Sequence, residues 1–157
     1  MIEISNLKTC PHWADTIADR AWNAWWTDTD VSLEEYRAHL DPMIEGNGIP
    51  FALVAHSQGL YLGSVFVVES DLDERPQFAP WIAALWVEAH TRRQAIAATL
   101  MAAARQEASE LGHGTCYLCA SPENSPYYLA RGFEQFESDV SGLNLFAIGS
   151  AGDTGPR

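Results

Sequence analysis

Residues 81–100, WIAALWVEAHTRRQAIAATL, change character halfway, and that change limits what the chain can fold into. The first part, 81–88, is apolar, aromatic and β-branched and lacks both Gly and Pro, the pattern of a buried strand. From Arg92 onward the chain is rich in Ala, Leu, Met, Gln and Arg, all strong helix formers. Only Ala89, His90 and Thr91 separate the two parts. A helix that starts straight after a strand offers free backbone N–H groups and the positive end of its macrodipole. Such an end holds phosphate when its side chains are small enough to let the anion approach. Arg92, Arg93, Gln94, Ala95, Ile96 and Ala97 stand at this start, and two arginines with two alanines suit a pyrophosphate.

The rest of the chain supplies partners for that unit. Residues 2–7 read as a first strand. From Pro11 the pattern is helical, with Trp13, Ile17, Ala21 and Trp25 four residues apart. Trp13, Trp22, Trp25 and Trp26 can anchor this helix to a core or line a pocket, and different rings can do each. Ser32 and Glu35 form a capping-box pattern ahead of a second helix carrying Leu33, Tyr36, Leu40 and Ile44, which stops at Gly46. Strands at 51–56 and 60–69 are joined by a hairpin turn at 56–59. Residues 70–80 are acidic, contain proline and read as a loop. The helix that opens at Arg92 runs to about Leu111 and stops at Gly112. A strand at 115–120, a turn, a short helix at 127–131 and a closing hairpin at 136–140 and 143–148 follow. Residues 149–157, GSAGDTGPR, read as a flexible tail after one domain spanning 1–148. This order gives an α/β (α+β) fold: a mixed, mainly antiparallel central sheet with helices on both faces.

The formal net charge of −12 leaves no basic footprint and argues against a nucleic-acid partner. It is compatible with cationic small molecules or basic peptides. No apolar run is long enough to span a membrane, and the N-terminus lacks the pattern of a secretory signal, so a cytoplasmic protein is expected. Cys116 and Cys119 form C-x-x-C, but three residues apart on a strand they point to opposite faces. They read as structural thiols, and no metal site is expected because no second ligand pair has zinc-site spacing. The run AHSQG around Ser57 approaches a nucleophile elbow. It lacks the first glycine and is followed by a strand where the elbow needs a helix.

Two motifs together resemble the GNAT-type N-acetyltransferases. Leu85, Trp86 and Val87 match the end of that family's central strand. Arg92 and Ala97 match the first and last positions of its Arg/Gln-x-x-Gly-x-Gly/Ala loop. Ala95 stands where the middle glycine is usual, Arg93 replaces a common glycine, and Ala89 stands where proline is usual. In SPENSPYYLARGF, residues 121–133, Asn124, Tyr128, Gly132 and Phe133 match the family's Asn…Tyr…Gly-Phe pattern. The run DLDERP-x3-PW at 71–81 also resembles a branch of bacterial GNAT proteins of mostly unassigned substrate.

The resemblance implies acetyl-CoA as co-substrate, held by Leu85, Trp86, Val87, by residues Arg92, Arg93, Gln94, Ala95, Ile96, Ala97, and by Asn124. It implies Tyr128 as general acid toward the departing thiolate, with Tyr127 a packing residue. A phenol of ordinary pKa is protonated at neutral pH, as that role requires. The implied acceptor is an amine-bearing small molecule or peptide, and a homodimer is compatible. Glu69, Asp71 and Glu88 are candidate bases by position in the chain, a water chain being the alternative. The acidic stretch 71–74 is expected beside the acceptor cleft. Glycine at 95 is expected to admit phosphate at least as well as alanine, and to lower stability as a poor helix residue. The alternative function is a weakly active or inactive GNAT-fold binding or scaffold protein, with its pyrophosphate loop altered at 93 and 95.

Overall fold

The computed structural model describes residues 2–91 and 95–149. Its elements in chain order are β1 (Glu3–Asn6), α1 (Ala14–Trp25), α2 (Leu33–Ala38), α3 (Asp41–Glu45), β2 (Phe51–Ser57) and β3 (Leu60–Val68). There follow β4 (Trp81–Val87), α4 (Ile96–Glu110), β5 (Thr115–Ala120), α5 (Ser125–Leu129), β6 (Glu134–Val140) and β7 (Leu143–Gly149). The strands form one seven-stranded sheet in the order β1-β2-β3-β4-β5-β7-β6. Every neighbouring pair is antiparallel except β4 with β5. This is the mixed, mainly antiparallel architecture expected. No helix among the described residues is long and apolar enough to cross a membrane.

Period-two alternation splits each central strand between two cores. On β2, Phe51, Leu53 and Ala55 join one buried cluster, while Ala52 and Val54 join another. The first cluster is closed by Ile96, Leu100, Met101, Ala104 and Ala108 of α4. The second is closed by Ala14, Ile17, Ala18 and Ala21 of α1, with Tyr36, Leu40 and Met43. Helices therefore cover both faces. Small residues on α4 let it sit close to the sheet. Gly63 of β3 allows that approach too: a Cβ there would lie 2.7 Å from the Trp86 carbonyl oxygen and 3.4 Å from Leu100 Cδ1.

Several boundaries differ from the sequence reading, among them the start of β6, at Glu134 rather than Phe136. The second helix is broken into α2 and α3, because Pro42 in the first turn of α3 cannot continue a helix through Ala38. Its buried side chains are Tyr36, Leu40 and Met43, while Leu33 is exposed. The crossover helix begins at Ile96 rather than Arg92, since Ala95 is left-handed at φ 60°, ψ 20°. The short helix begins two residues early, at Ser125, with Pro126 in its first turn where a missing N–H does no harm. Gly149 belongs to β7 rather than the tail: it pairs with Thr115, and its carbonyl accepts from Arg105 Nη2 at 2.7 Å. The remainder of the expected tail, 150–157, lies outside the described residues, as do Arg92, Arg93 and Gln94.

Candidate active site

The site originates in a one-residue irregularity of β4. Ser64 pairs with Trp86 and Phe66 with Ala83, so β4 carries one more residue than β3 over that interval. The extra residue is accommodated by Ala84, left-handed at φ 53°. Such a bulge bends its strand and re-aims the side chains beyond it. Ile82 packs into the α4-side core, whereas Ala84 packs on the opposite side and Leu85 returns to the first. On its other edge, β4 pairs with β5 only at Trp81 and Tyr117, supported by Tyr117 N–H donating to the Pro80 carbonyl at 3.0 Å. Past that point the two parallel strands separate.

Two cavities open at the separation. The smaller, about 530 Å³, is bounded by Leu85, Trp86, Val87, Ala95, Ile96, Ala97, Asn124, Tyr127, Tyr128 and Arg131. The larger, about 880 Å³, lies on the other side and shares Leu85, Asn124 and Tyr128 with the first. Of the ten residues expected to hold the cofactor, seven are described and all seven line the smaller cavity; Arg92, Arg93 and Gln94 are outside the described residues.

Helix α5 carries the shared tyrosine. Buried Ser125 holds the helix in place: its hydroxyl donates to the Ser121 carbonyl at 2.9 Å and accepts from Asn144 Nδ2 at 2.9 Å. Tyr128 is wedged against Phe133 and Phe146, with ring centroids 5.6 and 5.9 Å away. Burial raises its phenol pKa, and the neighbouring Tyr127 and Cys119 add to the rise, so it is protonated at neutral pH. Tyr127 reaches the smaller cavity only. Arg131, which the sequence reading passed over, stacks on the Tyr127 ring at 3.6 Å and donates to the Tyr127 carbonyl at 3.0 Å. Its spacing of four from Tyr127 in a helical run was the available signal.

Ala95 lies at the mouth of the smaller cavity, where its carbonyl accepts from Thr99 N–H at 3.0 Å and starts α4. Its backbone conformation reverses one expectation. An L-residue at positive φ is strained by roughly 1–2 kcal/mol, a strain glycine does not carry. Ala95→Gly should therefore stabilise the protein by up to about 1 kcal/mol, a Tm rise of about 2–4 °C, rather than weaken a helix. A thermal melt of the variant checks this, and a fall in Tm refutes it.

The larger cavity is walled by Trp25, the last residue of α1, by Trp26 just after it, and by Tyr36, Met43, Phe66 and Leu143, with Glu69 and Asp71 also on its lining. Trp22, by contrast, donates its indole N–H to the Val31 carbonyl at 2.8 Å and packs in the core, and Trp13 stacks near His56 and Tyr61. The tryptophans thus divide between core and cavity. The loop bearing Asp71 is tied to the closing hairpin by a two-pronged ion pair: Arg75 Nε and Nη2 donate to Glu137 at 2.8 and 2.6 Å. Ser141 donates to Glu74 beside it.

Asp71 is open to solvent through the cavity but surrounded by protein on its other sides, and that desolvation raises its carboxyl pKa. The Cys119 thiol donates to it at 3.4 Å. Burial, with the charge of Asp71 adding to it, pushes that thiol up to about 12, so Cys119 is a proton donor and not a thiolate. Burial and the same charge push Tyr36 up to about 12. Cys116 faces the opposite core, as strand alternation requires, and burial pushes its thiol up to about 11.

Of the three candidate bases, Glu69 and Asp71 line the larger cavity. Glu88 lines neither and accepts from Arg20 Nε at 2.7 Å. Ser57 ends β2 in a hairpin with Leu60 opposite, with no helix following, so it forms no nucleophile elbow. No group of three or more His, Cys, Asp or Glu among the described residues is arranged to hold a metal ion.

A family model of the acetyltransferase (GNAT) domain matches residues 23–145. Among curated proteins no sequence relative matches the chain. Solved structures of similar fold include an aminoglycoside 6'-N-acetyltransferase complexed with coenzyme A, at TM-score 0.71 and 16% identity over 94% of this chain and 96% of that one. An N-acetyltransferase from Staphylococcus aureus Mu50 aligns at TM-score 0.73 and 17% identity, covering 95% of this chain and 98% of the other. YncA from Salmonella typhimurium, with its cofactor acetyl-CoA, aligns at 0.72 and 14%, covering 99% and 98%. The structural likeness at these identities is one of fold. With the family model spanning most of the length, the splayed strand pair and the bulge beside it fall inside a matched domain, and the chain belongs to the GNAT acetyltransferase family.

Proposed function

We propose that the protein is an acetyl-CoA-dependent N-acetyltransferase that moves an acetyl group directly to a primary amine of a small molecule or peptide. The observation that carries this reading is the meeting of two cavities at Leu85, Asn124 and Tyr128. One cavity suits the acyl donor and the other the acceptor, so a thioester and an amine can be held face to face. The donor side fits its ligand: Ala95 and Ala97 are small, Arg131 supplies a cation, and Leu85, Trp86 and Val87 form an extended wall for a pantetheine chain. Arg92, Arg93 and Gln94 would complete the phosphate site. The left-handed backbone at Ala95 is a conformation glycine takes freely, which matches the family's usual glycine at this position.

Asp71 is the base in this reading, and its raised pKa brings it nearer the operating pH. The acceptor ammonium gives one proton to Asp71 and on to solvent. The amine nitrogen then forms the C–N bond as the C–S bond breaks. Tyr128 gives its hydroxyl proton to the leaving thiolate and regains one from the acetylated nitrogen, so one proton is released per turnover.

Calorimetry with acetyl-CoA tests the donor side. Saturable binding is expected, and Arg131→Ala should weaken it about tenfold by removing one charge-assisted contact to phosphate. Absence of binding at millimolar acetyl-CoA would overturn the reading and leave a GNAT-fold binding or scaffold protein. Normal binding in Arg131→Ala would remove Arg131 from the site without touching the rest.

A further inference from the structure

The larger cavity has a composition that discriminates among amines. Much of its wall is aromatic and apolar: Trp26 and Tyr36 pack tilted at 44° with centroids 5.3 Å apart, and Phe66 lines the same cavity. Trp25, set edge-on to Trp86 at 6.1 Å, is 48% exposed at the mouth, an unusual exposure for the largest apolar side chain. The ionisable groups on this lining are acidic, Glu69 and Asp71, apart from His39, the Cys119 thiol and the tyrosines. No lysine or arginine among the described residues lines it. Its volume is that of a site for a drug-sized ligand, larger than a lone ammonium group needs.

We propose that the acceptor is a monoamine carried on an apolar, aromatic body, its ammonium held at Asp71 and its ring against the aromatic wall that Trp25, Trp26 and Tyr36 give the cavity. This rests on the N-acetyltransferase reading and narrows it. The polar lining groups other than Asp71 include His39, Glu69, Ser70, Ser121 and Asn124. A polycation such as a polyamine or an aminoglycoside would set its further ammonium or hydroxyl groups against the aromatic and apolar remainder, at a desolvation penalty. An amino acid with the same ring would bring its carboxylate toward Glu69 and Asp71, a like-charge contact. A neutral-tailed aromatic amine meets neither obstacle. Its ring gains stacking area on rings the protein already holds in place.

The test compares phenethylamine, phenylalanine, spermidine and kanamycin as acceptors with saturating acetyl-CoA. Phenethylamine should have the highest kcat/KM, by roughly tenfold or more over each of the others, the size of one lost charge-assisted contact or one buried unpaired polar group. Trp25→Ala, a change at an exposed site, should raise the phenethylamine KM by up to about tenfold, the range of one aromatic pair, and leave the acetyl-CoA KM as it was. Spermidine or kanamycin turning over best, or phenylalanine matching phenethylamine, overturns the inference. Calorimetric titration of phenethylamine into coenzyme A-loaded protein separates this inference from the transferase reading. If no amine is acetylated but phenethylamine still binds, and binds more weakly to Trp25→Ala, the acceptor site stands and the transfer reading fails. If phenethylamine does not bind, the inference fails whatever the assays show.

Discussion

Tyr128→Phe should lower kcat by about 10²-fold while leaving the dissociation constant of acetyl-CoA nearly unchanged, general-acid contributions being about 10²–10⁴-fold. The ring makes the structural contacts, edge-on to Phe133 and tilted on Phe146, and phenylalanine keeps both. Only the hydroxyl is lost. Its proposed work is done as the C–S bond breaks, so the deficit should fall on kcat. A thiolate leaves well even without a proton, which sets the effect at the low end. Tyr127→Phe is the internal control, because Tyr127 lies under Arg131 and reaches the smaller cavity alone. It should change turnover little. Exchange of the two phenotypes would assign the acid to Tyr127. Normal turnover in both would show that no tyrosine hydroxyl of α5 takes part in the limiting step.

Asp71→Asn should cut kcat by about 10²-fold as well, with the opposite sign on stability. A carboxyl whose folded pKa is raised binds more protons in the folded than in the unfolded chain. Stability then falls as pH rises from the ordinary carboxylate value through the raised one, and the loss persists above it. Asparagine removes that loss and still offers an oxygen to the Cys119 thiol. At neutral pH the variant should melt at the same temperature or higher while turning over more slowly. The wild-type rate should rise with pH as Asp71 ionises, above the usual carboxylate range, and the variant should lack that limb. Cys119 and Tyr36, which face Asp71, are pushed up to about 12 and do not titrate in that window. Glu69 and His39 line the same cavity, so Glu69→Gln and His39→Gln are the controls. A lower melting temperature with unaltered turnover would make Asp71 a structural residue.

The family motifs were readable because each is local. Asn124, Tyr128 and Phe133 lie within ten residues of one another, and Leu85 to Ala97 follow one strand into one helix. Local spacing sets which side chains share a face, and the structure brings Leu85, Trp86, Val87, Ala95, Ile96, Ala97, Asn124 and Tyr128 to one cavity. The entry to α4 was less legible. The residues around 92–97 are good helix formers, yet Ala95 is left-handed and the helix waits until Ile96. Intrinsic preference is worth only tenths of a kcal/mol per residue, so the tertiary position of the loop overrides it. Pro42 and Pro126 were the local signals for the broken second helix and the earlier start of α5, and each acts through its missing N–H.

From the sequence alone came the order of elements and the two-faced sheet, since periodicity and turn chemistry are encoded within a few positions. The sequence pointed to the 71–74 stretch and to the tryptophans, but which of them line the larger cavity came only with the folded chain. Asp71 and Cys119 are 48 positions apart and meet because the loop after β3 is pinned across the sheet by Arg75 and Glu137. Trp25 and Trp26, at the end of a helix early in the chain, line the same cavity as that pair, while Trp22 of the helix packs against the core. The gap itself depends on a one-residue bulge at Ala84 that no composition marks. The same alternation that makes a strand predictable means that one inserted residue reverses which face the following side chains take. Whether a strand bulges is settled by its neighbour's register, not by its own residues.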